Sequence, residues 1–261
     1  MLLALDTSTA YASIALSHDD NILVELTWRV ENRHSAELLP RVEESLRTLR
    51  VTTSQLDSVA VALGPGSFNG VRAGVATAKG LALALGVPTV GIPTLDVIGW
   101  GARLAPGEVW ALLDAGRGEV YAAVYDTAGA TAETWGPRTL ALPDGTEGEY
   151  HILTPAALAA LVRDGATLTG ELRPAARDAL KEALAGRARL DELAEPRRSG
   201  WLAALAQGRL RAGLGDTPAT LEPLYLRRPA ITRSARPDVA ALAGAADDAA
   251  PAGKKGERRA L

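Results

Sequence analysis

Leu3-Ala4-Leu5-Asp6-Thr7-Ser8-Thr9 near the start of the chain and Leu112-Leu113-Asp114-Ala115-Gly116-Arg117-Gly118 in its middle are two versions of one device. Each is a short apolar strand that runs into an acid and a tight turn. Each is followed by a second strand, at residues 12–16 and 119–125. The two aspartates stand 108 residues apart, and at that offset Ala15 meets Ala123 and Glu25 meets Glu133. The repeated order of strand, acid, turn and strand predicts an internal duplication.

Outward from the first device the order of elements reads β-β-β-α-β-α-β. The polar turn His18-Asp19-Asp20-Asn21 leads into a third strand at residues 22–28, completing an antiparallel meander. Ser35 is the expected N-cap of a helix with apolar positions at Leu38, Leu39, Val42, Leu46 and Leu49, and Pro40 falls near its first turn. Residues 58–63 read as a buried strand and residues 71–85 as a helix, closed by Gly86 and Pro88 before a strand at Thr89–Ile92. Beyond Thr154 the chain is rich in Ala and Leu with helical period, broken by Gly165, Gly170, Pro174 and Pro196. Residues 201–210 form a further short helix, and Glu222-Pro223-Leu224-Tyr225-Leu226-Arg227 reads as extended. From about Ala235 almost nothing is left to bury, which predicts a disordered tail. The expected organisation is an α/β chain with an N-terminal lobe at 1–100, a smaller, degenerate C-terminal lobe at 101–234 and a tail at 235–261.

Composition removes several kinds of chemistry. The 261 residues are 47% hydrophobic and 23% charged, ordinary for a globular protein. Lys+Arg 28 against Asp+Glu 31 leaves a net charge of −3, too balanced to hold nucleic acid by bulk charge alone. The chain has no Cys, which removes disulfides, thiolate zinc sites, iron–sulfur clusters and thiol catalysis. Its three His, at 18, 34 and 151, are too far apart in sequence to write an HExxH-like site. No basic segment followed by a long apolar core opens the chain, and no apolar run approaches the ~20 residues of a bilayer span. A cytoplasmic protein without a membrane partner is expected.

Two places have the residue types for phosphate chemistry. Gly64-Pro65-Gly66-Ser67-Phe68-Asn69-Gly70 joins a buried strand to a helix, where backbone N–H groups and the helix dipole attract anions. The spacing fits neither a Walker A loop nor GxGxxG, and the same glycines would also serve simply to shape a tight turn. Asp6 with Thr7, Ser8 and Thr9 could hold a hydrated cation and a phosphate, with Asp114 as partner, or Asp6 could cap its own turn. The candidate nucleotide residues are therefore Asp6, Thr7, Ser8, Thr9, Gly64, Gly66, Ser67 and Asp114. Arg227, Arg228, Arg233 and Arg236 make a modest basic cluster, a solvated face or a contact for RNA. The helix at 71–85 carries Gly74 and Gly80 in its interior and a small-residue stripe with Val71, Val75, Ala78 and Ala82. Such a stripe meets the preceding helix of its own chain, a second protein, or both.

These motifs together resemble the TsaB (YeaZ) family, through Leu3 to Thr9, His34-Ser35 with Leu38-Leu39-Pro40, Gly64 to Arg72, Leu112 to Ala115 with Glu119-Val120-Tyr121, and Pro223 to Arg227. The resemblance runs in order over about residues 1–230, and Asn69 stands where the family usually has Thr. It implies two ribonuclease-H-like lobes of the actin, Hsp70 and sugar-kinase type. It also implies a partner subunit in making the tRNA modification threonylcarbamoyladenosine, catalysed by the paralogue TsaD with a metal held by an HxxxH pair. The corresponding stretch here, Pro88-Thr89-Val90-Gly91-Ile92-Pro93-Thr94-Leu95-Asp96-Val97, carries no His and no metal site is expected. The label of M22 peptidase sometimes attached to such proteins finds neither metal ligands nor a nucleophile–base pair. The expectation is a catalytically inactive subunit with no cofactor of its own, ATP being left to the complex. Its partners would be TsaD, TsaE and a second copy of itself, with tRNA reached indirectly. The family places the contact on the helices after His34 and Gly70, with His34, Leu38, Val42, Val71, Gly74, Val75, Ala78 and Ala82 as candidates. The alternative is a small kinase or ATPase of the same superfamily, which nucleotide turnover would reveal.

Overall fold

Leu2–Asp6 (β1) is buried along its whole length because it lies at the centre of a sheet covered on both faces. The computed structural model describes residues 1–30, 34–191 and 199–227, residues 34–36 as backbone only. β1 pairs antiparallel with Tyr11–His18 (β2), and β2 with Asn21–Arg29 (β3). The helix His34–Leu49 (α1) leads to Ser58–Ala62 (β4), parallel to β1. Helix Phe68–Leu85 (α2) then returns the chain to Thr89–Ile92 (β5), parallel to β4. The first sheet has the order β3-β2-β1-β4-β5.

After the short helix Thr94–Gly101 (α3), the plan repeats. Glu108–Gly116 (β6) pairs antiparallel with Glu119–Asp126 (β7). A small ribbon follows, Leu140–Ala141 (β8) with Glu147–Gly148 (β9), before His151–Leu153 (β10) joins β7. Pro155–Leu161 (α4), Thr167–Glu171 (β11), Pro174–Leu184 (α5) and Arg189–Leu190 (β12) complete a sheet of order β10-β7-β6-β11-β12. Both sheets therefore have the ribonuclease-H order, an antiparallel meander continued by two parallel strands. Ser199–Arg211 (α6) is the last helix described.

The duplication holds at the level of topology, but two of its sequence identities do not. Ala4 pairs with Ala15 in the first sheet, whereas Leu112 pairs with Ala122 in the second. The second hairpin is one residue shorter, so Ala15 corresponds to Ala122 rather than Ala123. Glu133 lies in the excursion between β7 and β10 and has no counterpart in Glu25. The helical period beyond Thr154 also hides β11 and β12. Thr167-Leu168-Thr169-Gly170-Glu171 offers one large apolar side chain, and its strand form comes from parallel pairing with β6. α1 begins at His34 rather than after Ser35, which puts Pro40 beyond the first turn, on an exposed position.

Three apolar cores define five layers. α1 and α2 cover one face of the first sheet, and α4 and α5 cover the outer face of the second. α3 and α6 fill the space between the sheets. That middle layer is thin because Ala15, Ala4 and Ala60 lie side by side across the first sheet, as Ala111 and Ala123 do across the second. α6 adds the fully buried Ala203 and Ala206, so helix and sheet approach closely. Glu25 Oε1 accepts from the Gly200 N–H at 3.1 Å, a carboxylate at the start of α6. The helix expected in the second lobe thus packs on strands of the first. Met1–Leu226 makes one compact unit, and the tail expected at 235–261 lies outside the described residues.

One buried acid ties the middle layer together. Asp96 of α3 is 1% exposed. Its Oδ1 accepts from Tyr125 Oη at 2.9 Å and Tyr150 Oη at 2.8 Å, while Arg209 Nη2 donates to Oδ2 at 3.2 Å. Arg209 Nη1 also reaches Gly91 O at 3.0 Å, and Trp135 Nε1 donates to Asp96 O at 3.0 Å. Burial pushes the Asp96 carboxyl up to about 6, against the opposing pull of both phenols and Arg209. The folded state thus holds this proton more tightly than the unfolded chain. The site's contribution is full below the ordinary carboxyl pKa of 3.8 and is lost as pH rises through about 6. Relative to Asp96→Asn, which does not titrate, wild type is expected to lose about 3 kcal/mol of unfolding free energy over that window. Urea unfolding of both proteins at a series of pH values measures this, and parallel curves would refute it.

Candidate functional site

The turns after β1 and β6 line one cleft of about 610 Å³, together with the start of α2 and the turn before α5. Ser8, Thr9, Gly66 and Ser67 lie on its wall with Asp114 and Arg173, so the structure brings most of the candidate nucleotide residues into one place. Asp6, Thr7 and Gly64 are buried behind that wall.

The two aspartates close their turns in the same way. Asp6 Oδ1 accepts from the Ser8 N–H at 2.9 Å, and Asp114 Oδ1 from the Gly116 N–H at 2.7 Å. Each is an acid bonding the backbone two residues on, as the turn-capping alternative requires. Ser8 Oγ also donates to Asp6 Oδ1 at 2.6 Å and accepts from Thr94 Oγ1 at 3.0 Å. Thr94 Oγ1 in turn accepts from the Gly64 N–H at 3.1 Å, so a buried chain of hydrogen bonds runs from the glycine loop to the acid. Thr9 Oγ1 accepts from the Tyr11 N–H at 3.3 Å. Asp114 has a different second partner: Arg173 donates Nε to Oδ2 at 2.9 Å and Nη2 to Oδ1 at 2.5 Å. That guanidinium holds the Asp114 carboxyl below the usual carboxylate range. The only local sign of Arg173 in the sequence is a cation immediately before a helix-opening proline; Tyr11 and Arg29, which also line the cleft, carried none.

The glycine loop is shaped by close packing on this hairpin. A Cβ at Gly66 would stand 2.0 Å from Ser8 O, and one at Gly74 would stand 2.4 Å from Thr7 Oγ1. The Ser67 N–H donates to Ser8 O at 2.7 Å, and Thr7 Oγ1 donates to Gly70 O at 2.7 Å. Ser67 Oγ accepts from the Gly70 N–H at 3.3 Å, so the first turn of α2 is capped from within the chain. Among the described residues no three His, Cys, Asp or Glu come together as a metal site, and no helix is long and apolar enough to cross a membrane.

The small-residue stripe of α2 requires a correction. Val71, Val75, Ala78 and Ala82 are at most 4% exposed and Gly74 is buried, all packed with Leu38 and Val42 of α1 against the first sheet. These residues are core and have no surface to offer a partner. The residues of α2 that face out are Phe68, Asn69, Arg72, Ala76, Gly80, Leu83 and Ala84. The His34 side chain lies outside the described residues, as do Arg228, Arg233 and Arg236.

Two ribonuclease-H-like sheets with a cleft at the ends of equivalent strands define a protein of the two-lobed class that includes actin and the sugar kinases. A family model described as "TsaD: tRNA N6-adenosine threonylcarbamoyltransferase" matches residues 29–232. The tRNA threonylcarbamoyladenosine biosynthesis protein TsaB of Bacillus subtilis is 35% identical over 124 residues, 48% of this chain and 54% of that protein. The chain thus spans about half the length of that curated relative. An uncharacterized protein of Mycobacterium tuberculosis is 35% identical over 230 residues, covering 87% of this chain and 92% of its own. Among solved structures, YeaZ from Pseudomonas aeruginosa superimposes with a TM-score of 0.67 at 27% identity, over 86% of this chain and 99% of that one. The chain belongs to the TsaB (YeaZ) family.

Burial of the stripe sets an expected outcome. Val75→Arg or Ala78→Arg puts an unpaired charge into the core and should cost about 4 kcal/mol or more, enough to unfold a marginal domain. Circular dichroism on the purified variants checks this; a native spectrum with an unchanged melting temperature would show that these positions face out.

Proposed function

We propose that this chain is a non-catalytic partner subunit of tRNA threonylcarbamoyladenosine biosynthesis, which binds and activates the TsaD transferase in the cytoplasm. The observation that carries this is Gly80. It sits in the interior of α2, where glycine costs about 1 kcal/mol relative to Ala, and a Cβ there would meet nothing within 4 Å. Gly74 in the same helix is required by Thr7; nothing among the described residues requires Gly80. It lies in an exposed line with Ala76, Leu83 and Ala84, and Leu83 is 71% exposed. Small side chains on an outer helical face suit close packing of another helix pair. TsaD and a second copy of this chain are alternative occupants of that face, with TsaE joining the assembly and tRNA served by the whole.

The cleft supports a non-catalytic role. A hydrated cation is held through carboxylate oxygens, and here Asp6 Oδ1 accepts from Ser8 while both Asp114 oxygens accept from Arg173. The stretch that holds the HxxxH pair in TsaD carries Thr94, Leu95 and the structural Asp96 instead.

Ala76→Arg and Gly80→Arg should leave the melting temperature near that of wild type, because both positions face water. Gel filtration with TsaD should then give separate peaks, and threonylcarbamoylation by the mixture should fall by about tenfold or more. Co-elution and full activity with both variants would place the contact elsewhere.

A further inference from the structure

The chain has a single Phe, and it is on the surface. Phe68 opens α2 and is 41% exposed; its ring centroid lies 5.5 Å from that of Tyr225, itself 42% exposed, at an interplanar angle of 35°. The Arg72 guanidinium carbon lies 5.0 Å from the Phe68 centroid. Neither ring belongs to the three apolar cores. The segment carrying Tyr225 is anchored, with the Leu224 N–H donating to Leu63 O at 2.8 Å and Lys79 Nζ donating to Leu221 O at 2.9 Å. Two aromatic rings and a guanidinium are therefore held together with their outer surfaces in water.

We propose that Phe68, Tyr225 and Arg72 form a stacking platform for unpaired RNA bases; this rests on the chain serving an RNA-modifying complex. Aromatic rings and guanidinium planes stack on any nucleobase, and duplex RNA conceals the base faces that such a platform needs. Charge favours RNA over a protein as occupant. From Pro223 to Pro237 the sequence carries Arg227, Arg228, Arg233 and Arg236 and no Asp or Glu, in a chain whose net charge is −3. Four arginines thus follow Tyr225 within eleven residues with no acid among them, between Glu222 and Asp238, a local charge that suits a phosphate backbone.

The test is fluorescence anisotropy with the full chain and a labelled single-stranded RNA of about 12 nucleotides, beside the same sequence as a duplex. Single-stranded RNA should bind more tightly than duplex, with affinity falling as salt rises. Phe68→Ala and Tyr225→Ala should each weaken it by about tenfold, Arg72→Glu by at least as much, and Phe68→Trp should retain it. Melting temperatures report whether the exposed substitutions leave the fold intact, and Arg72→Glu keeps the test open if an aromatic truncation does not. Co-elution of each protein with TsaD is measured separately. Co-elution without RNA binding by wild type overturns the platform and leaves the partner role standing. Alanine variants that bind RNA as wild type does, or duplex binding as tight as single-strand binding, also overturn it. Loss of co-elution with unchanged RNA affinity would make the aromatic pair a protein contact and likewise overturn the platform.

Discussion

The buried carboxylate of Asp96 holds the layer on which the two halves of the molecule are built. It takes two phenol donors, from Tyr125 and Tyr150, and a guanidinium from Arg209 of α6. Its backbone oxygen takes the Trp135 indole N–H, and Trp135 stacks flat on Tyr125 with centroids 4.9 Å apart. A charged group buried this deeply is tolerated only when its lone pairs are satisfied, and every contact that satisfies it comes from a different segment. The alanine rows of both sheets make the same layer thin enough for those contacts to form. Together with the packing of α6 on the first sheet, this arrangement joins the two lobes.

Much of the architecture was legible in the sequence because it rests on local chemistry. The meander at the start, the strand-to-helix turn at Gly64 and the stop at Gly86 are written in apolar alternation and backbone-permissive residues, and Gly86 does end α2 in the left-handed conformation. What escaped was decided by distant partners. β11 is a strand because β6 lies beside it, and α6, apolar around most of its surface, packs on a sheet nearly two hundred residues earlier in the chain. The stripe on α2 misled for a related reason. Small residues at helical spacing mark close approach, and the sequence does not say whether the approaching body is the same chain. Thr7 and the first sheet account for Gly74 and its neighbours, leaving Gly80 without a partner among the described residues.

The turns singled out in the sequence do come together at one cleft, while the partner of Asp114 there, Arg173, was not among the residues chosen from sequence. Arg173 answers Asp114 much as Ser8 answers Asp6, so each lobe satisfies its strand-end acid by its own means. Asp114 on the cleft wall and Asp6 buried behind it each bond the backbone of their own turn, which keeps both turns rigid. On the reading proposed above, the cleft serves as scaffold and the outer face of α2 and the aromatic pair at its start are the surfaces that act.

The most direct test is threonylcarbamoylation of tRNA by TsaD supplied with this chain carrying Asp114→Asn and Arg173→Gln together, a pair that lines the cleft and is not part of the outer face of α2. If the cleft is scaffold, the rate should stay within about twofold of that with wild type, at equal co-elution with TsaD. A fall of about tenfold or more with co-elution intact would contradict it, because the cleft would then take part in the chemistry.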